Sequence, residues 1–154
     1  MPIIAADLGG TKLATGLFTD DIELIRKEKN IIAGKEGAQV GQLITGNIYE
    51  IIRSQELSGE KIKAIGISVP GIYDKEDGTV WAPNIPGWEK FPLFKEVMQI
   101  APNIPIVIHS DRSCYITAEV EKGAARGCKD AVFIAVGTGI GAGIISGGKV
   151  IRGA

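Results

Sequence analysis

Asp7-Leu8-Gly9-Gly10-Thr11-Lys12 stands between two apolar runs, residues 3–7 and 12–18, and a more charged run follows over 22–32. Short apolar runs joined by a glycine turn predict a β-meander at the start of the chain. Near the other end, Val136-Gly137-Thr138-Gly139-Ile140-Gly141 repeats the arrangement: strand, glycine turn, strand. Neither turn follows the common nucleotide-binding patterns. The dinucleotide fingerprint requires a helix after its glycines, so that the helix N-terminus meets the pyrophosphate. Here Ala142-Gly143-Ile144-Ile145-Ser146 continues as strand, and no Gly-x-x-x-x-Gly-Lys-Ser/Thr sequence occurs. What remains is two glycine hairpins in one α/β chain.

Between the two turns the pattern alternates. Val40, Leu43, Ile44, Ile48, Ile51 and Ile52 recur at helical spacing within residues 36–57, giving one apolar helix face. Residues 62–69 read as a strand ending at Pro70-Gly71. Residues 71–92 contain three of the seven prolines and both tryptophans and read as a long structured loop. A strand over 104–109 follows, then a helix from Asp111 to Arg126 ended by Gly127 as a C-terminal glycine. Residues 131–136 and 141–146 read as strands. The fold class is therefore α/β, a mixed sheet with flanking helices.

Bulk properties exclude several functions. Lys and Arg total 17 against 18 Asp and Glu, a formal net charge of −1. That leaves no basic surface for a nucleic acid. No run approaches the ~18 apolar residues of a membrane span. The N-terminus has no basic region ahead of its apolar residues, so a cytoplasmic location is the expectation. Cys114 and Cys128 lie near opposite ends of the expected helix. At ~1.5 Å per residue they stand roughly 20 Å apart, too far for a disulfide, so both are expected as thiols. No cluster of Cys and His has metal-ligand spacing.

Four stretches carry candidate chemistry. In the first turn, Gly9 and Gly10 let the backbone approach an anion, Thr11 adds a hydroxyl, Lys12 adds a charge, and Asp7 can hold a hydrated Mg²⁺. A plain hairpin turn accounts for the same residues. Gly137, Thr138 and Gly139 allow the same two readings. Asp111 closes an apolar strand and opens a helix, where it suits either a base for an attacking hydroxyl or a helix cap. Ser110 can share the capping and free Asp111. Asn84, set between Pro83 and Pro86 with Trp81 and Trp88 nearby, suits the paired donors and acceptors of a polyol, or simply a rigid loop. His109, the only histidine, reads as a packed strand residue.

Taken together these stretches resemble the ROK (repressor, open reading frame, kinase) family of sugar kinases. The resemblance runs over the whole chain. It rests on the two glycine motifs, on Ser68-Val69-Pro70-Gly71, on Pro83-Asn84-Ile85-Pro86-Gly87-Trp88, and on Ser110-Asp111 with Ala118-Glu119 and Gly123-Ala124-Ala125-Arg126-Gly127. It implies a ribonuclease H-like, actin-type fold, with residues 1–127 as the first lobe and 128–154 as the opening hairpin of the second. It implies ATP and Mg²⁺ as cofactors, and a hexose or N-acetylhexosamine as substrate. Asp111 would be the base. Gly71, Asn84 and Ser110 would contact the sugar. Gly9, Gly10, Thr11, Lys12, Gly137, Thr138 and Gly139 would line the phosphates, with Asp7 at the metal. The family usually carries Asn where this chain has Ser110. Its Glu-x-Gly-His motif, cysteine-rich zinc site and adenosine pocket lie outside these 154 residues, so the chain alone is expected to be inactive. The alternative within the family is a non-catalytic sugar-binding regulator. The open edge of the final hairpin is compatible with a homo-oligomer.

Overall fold

Three antiparallel strands open the chain in the computed structural model, which describes residues 1–136 and 140–152. They are β1 (Ile3–Leu8), β2 (Lys12–Phe18) and β3 (Leu24–Ile31). Strand β4 (Ala64–Val69) pairs parallel with β1 on its other side, and β7 (Ile106–Ser110) completes the sheet in the order β3-β2-β1-β4-β7. Strict alternation buries one face: Ile4, Ala6 and Leu8 align with Leu13 and Leu17 of β2 and with Ile65 and Ile67 of β4. Helix α1 (Gly37–Leu57) contributes Val40, Ile44, Ile48, Ile51 and Ile52 to the same core. Each such fully buried side chain contributes about 1.5–3 kcal/mol. Thr15 is the polar residue in this layer, and its hydroxyl accepts from Asn47 Nδ2 at 3.2 Å.

Two glycines of α1 differ in what surrounds them. A β-carbon on Gly41 would run into the Phe91 ring, whereas Gly46 faces open space. Phe91 cannot yield easily, because it stacks on Trp88 with centroids 4.3 Å apart. Helix propensity favours Ala over Gly by up to about 1 kcal/mol, while overpacking costs about 1–3 kcal/mol. Gly41→Ala is therefore expected to destabilise and Gly46→Ala to stabilise, read as opposite shifts of the urea midpoint. Equal shifts would show that α1 does not press on the aromatic pair.

Residues 71–92 hold more structure than a loop. Strands β5 (Ile72–Tyr73) and β6 (Val80–Trp81) form an antiparallel ribbon pairing Ile72 with Trp81 and Tyr73 with Val80. A short helix α2 (Leu93–Ile100), which the sequence reading does not anticipate, buries Leu93 and Val97 one turn apart. Eight residues give too few turns for the periodicity to stand out.

Helix α3 spans Asp111–Lys122 and ends earlier than the expected Arg126. The Glu119 side chain accepts the Ala124 amide at 2.8 Å, and its carbonyl accepts those of Gly123 and Ala125. These bonds turn the chain out of the helix. Gly127, with φ 81°, belongs to the following turn. Strands β8 (Ala131–Val136), β9 (Ile140–Ser146) and β10 (Lys149–Val150) form an antiparallel sheet on which α3 packs. The chain's contacts divide between His109 and Ser110, so α3 groups with this sheet and not with the residues before it. The first-lobe boundary read from sequence lies later, near residue 127. Among the described residues no helix is long and apolar enough to cross a membrane. Neither cysteine is in a disulfide.

Candidate functional site

The sheet brings several predicted residues to one end. β1 and β4 run parallel and finish together, with Asp7 opposite Ser68 in register. The side chains of directly opposed residues share a face. Asp7 is exposed there, between buried Ala6 and Leu8. The Ser68 hydroxyl beside it is buried with no hydrogen-bond partner, an uncommon condition for a polar group. The sequence quotes Ser68 only as part of a motif, because its isolation depends on what packs around it.

The first glycine turn closes when the Gly9 amide donates to the Lys12 carbonyl at 2.8 Å, and the Ile32 amide donates to the Thr11 carbonyl at 3.0 Å. Gly9 thus spends its N–H within the turn, and the amides of Gly10 and Thr11 lie outside that pairing. Neither Gly9 nor Gly10 is left-handed, so their conformation does not require glycine. A β-carbon on Gly10 would meet only the Asn84 Cβ, at 3.7 Å. Gly10→Val should therefore fold normally, with its melting temperature within about 2 °C of the parent. If the turn faces the phosphates of ATP, as the resemblance implies, the same substitution in the full-length protein should raise the KM for ATP at least tenfold, about 1.4 kcal/mol. A KM for sugar weakened equally with that for ATP would reduce the turn to a structural element.

Asn84 is held from behind. The Gly37 amide donates to the Pro86 carbonyl at 2.8 Å, and Trp88 Nε1 donates back to the Gly37 carbonyl at 3.0 Å. Trp88 is buried, and the Ile85 amide closes a turn on the Ala82 carbonyl at 3.0 Å. The start of α1 therefore fixes the loop, while Pro83 and Asn84 project outward, with Asn84 beside Gly10. Of the two tryptophans, Trp88 packs and Trp81 is exposed. Gly71 has a structural reason of its own: a β-carbon there would strike the Trp81 carbonyl and lie 2.9 Å from the Ala82 Cα. It locks the ribbon to the end of β4.

The second group gathers at the start of α3. Ser110 is the N-cap: its hydroxyl accepts the Ser113 amide at 3.3 Å and donates to Ser113 Oγ at 3.0 Å. That frees Asp111 from capping. Its carboxylate accepts the Arg112 amide at 2.7 Å and lies 3.5 Å from Arg112 Nε. Arg112 crosses β9, where a β-carbon on Gly141 would stand 3.1 Å from its Cδ and one on Gly143 would strike its carbonyl. The two glycines let the first turn of α3 settle on the strand that leads away from the second glycine turn. Gly137, Thr138 and Gly139 themselves lie outside the described residues. Arg112 is not singled out by the sequence reading; the only signal for it is its place next to Asp111.

Among the described residues no three Asp, Glu, His or Cys side chains gather as a metal cage. Asp7 alone fits Mg²⁺, which keeps several waters and takes its remaining ligands from one or two carboxylates and substrate phosphates. A ROK family model matches residues 3–154. The chain belongs to the ROK family. Among its relatives, a glucokinase of Halalkalibacterium halodurans is 30% identical over 97% of this chain and 46% of its own length. A xylose repressor of Caldicellulosiruptor bescii is 33% identical over 99% of this chain and 38% of its own length. The crystal structure of a ROK family glucokinase from Streptomyces griseus with glucose and AMPPNP superposes with a TM-score of 0.81 at 30% identity. That match covers all of this chain and 47% of the other. The ROK chain described here thus spans about half the length of the relatives it matches. Its mixed sheet with flanking helices is the actin-type ATPase fold of ROK kinases.

Proposed function

We propose that the full-length ROK protein transfers the γ-phosphoryl group of ATP to a hexose hydroxyl. The observation that carries this reading is the division of labour at the start of α3: Ser110 caps the helix, so the Asp111 carboxylate stays available at its N-terminus. In the transfer, the sugar oxygen forms a bond to the γ-phosphorus as the bond from that phosphorus to the bridging oxygen of ADP breaks. Asp111 takes the hydroxyl proton. Asn84, Gly71 and Ser110 hold the sugar. Gly9, Gly10, Thr11 and Lys12 would line the phosphates together with Gly137, Thr138 and Gly139, and Asp7 would hold Mg²⁺, which would supply positive charge against them. Residues 1–127 form the first lobe in this reading, and 128–154 begin the second. A glucokinase with glucose and AMPPNP bound among the similar structures supports both substrate classes.

One observation favours a second reading, a sugar-binding regulator: the similarity to a xylose repressor. A panel of hexoses and N-acetylhexosamines with ATP and Mg²⁺, run on the full-length protein, separates the two. Turnover with at least one sugar supports the kinase. Calorimetric sugar binding without any turnover supports the regulator and overturns the kinase.

A further inference from the structure

Asp111 is held by one of its two carboxylate oxygens. Oδ1 accepts the Arg112 amide at 2.7 Å and lies 3.5 Å from Arg112 Nε. Among the described residues Oδ2 has no partner. Both contacts come from the same neighbour, so whatever fixes Arg112 also fixes the carboxylate.

Strand β9 fixes Arg112 at two points. A β-carbon on Gly143 would strike the Arg112 carbonyl, and one on Gly141 would stand 3.1 Å from its Cδ and 3.2 Å from its Nε. Neither glycine is left-handed, so the strand conformation itself does not require glycine at either position. At Gly141 the three atoms nearest to the absent β-carbon all belong to the Arg112 side chain. The two glycines thus leave a track on β9: the backbone of α3 lies against Gly143 and the arginine stem against Gly141. A long side chain gives up rotamer freedom when it enters an ion pair, which is why many exposed pairs contribute little. A stem already laid on a strand has less to lose. Its guanidinium is planar and always charged, so the position of the stem sets the position of the charge.

Ser110 takes the cap and Asp111 takes the proton in the kinase reading, which leaves Arg112 without a task. We propose that Arg112 is a positioning residue for the base: braced on β9, it ties down Oδ1 and so aims Oδ2 at the substrate hydroxyl. This rests on the kinase reading and deepens its mechanism. Oδ2 is then the atom that takes the hydroxyl proton as the sugar oxygen bonds to the γ-phosphorus. The tie matters because the terminal torsion of an aspartate is broad, while a general base has to lie within about 2.6–3.2 Å of the atom whose proton it takes.

The test uses the full-length protein with ATP, Mg²⁺ and glucose. Arg112→Ala should lower kcat about 5–50-fold, short of the ~10²-fold that a 1 Å displacement costs. The KM values for ATP and glucose should stay within about twofold, and the melting temperature within about 2 °C, since the Arg112 side chain is nearly half exposed. Gly141→Ala keeps the charge but presses on the stem. It should lower kcat in the parent and have no effect on kcat in Arg112→Ala. Arg112→Ala should likewise add nothing to Asp111→Asn, because residues that act as one unit are not additive. An undiminished effect of Arg112→Ala in Asp111→Asn would mean that the guanidinium acts on the phosphoryl group and not through the base, and would overturn the proposal. A raised KM for ATP with kcat unchanged would make Arg112 a nucleotide contact and overturn it as well. A kcat within twofold of the parent would reduce Arg112 to a cover for β9, with the kinase reading intact. No turnover with glucose or any other sugar of the panel would remove both.

Discussion

Asp111→Asn in the full-length protein should lower kcat by about 10²–10⁴-fold, the usual contribution of a general base, while the melting curve stays in place. The substitution is close to isosteric and deletes only the proton acceptor. Helix α3 does not need the carboxylate, because Ser110 satisfies the Ser113 amide, and an asparagine oxygen can still accept the Arg112 amide. The cost to the fold is limited to the favourable charge at a helix N-terminus, about 0.3–1 kcal/mol. Steady-state kinetics beside thermal melts decide the matter. Retention of more than about a tenth of kcat would take Asp111 out of the role of base. A large drop in melting temperature would assign it to the helix instead.

The 154 residues on their own should turn over at less than about a hundredth of the full-length rate. Phosphoryl transfer is mostly positioning, and a displacement of ~1 Å costs about 10²-fold. The chain covers about half the length of the kinases it matches, and in the kinase reading much of what positions ATP would come from the rest of the full-length protein. The β8–β9 sheet shows the same shortage. Ala131, Phe133, Ala135 and Ile145 alternate with Val132, Ile134, Val136, Ile140 and Ile144, and the second set is exposed, reaching 82% at Ile140. A sheet apolar on both faces is made to be covered on both, and α3 covers one. A coupled assay with ATP, Mg²⁺ and several hexoses on both lengths of chain tests this. Turnover within the ordinary kinase range of ~1–100 s⁻¹ by the short chain would overturn the expectation.

Strong local periodicity made much of the fold legible. The meander, the long helix α1, strands β4 and β7 and the final hairpin follow from alternation and from helical spacing, because burying one face of each element dictates which residues are apolar. The placement of Asp7 near the end of β1 and of Asp111 at the head of α3 was legible in the same way, since strand ends and glycine turns announce themselves in sequence. The end of α3 escaped because the Glu119 side chain, rather than Gly127, accepts the amide that terminates it. Helix α2 escaped because eight residues show too little of the repeat.

Sequence alone determined that this is an α/β chain with two glycine hairpins, an acid at the end of β1 and another at the head of α3. Only the tertiary structure decided what each glycine and each tryptophan is for. Gly71, Gly141 and Gly143 are small because backbone or Arg112 lies against them, while Gly10 has room for a side chain in the fold. Trp88 is core and Trp81 is surface, though the two stand seven residues apart in one loop. These distinctions rest on contacts between segments far apart in the chain, and close packing assigns them only once every neighbour is in place.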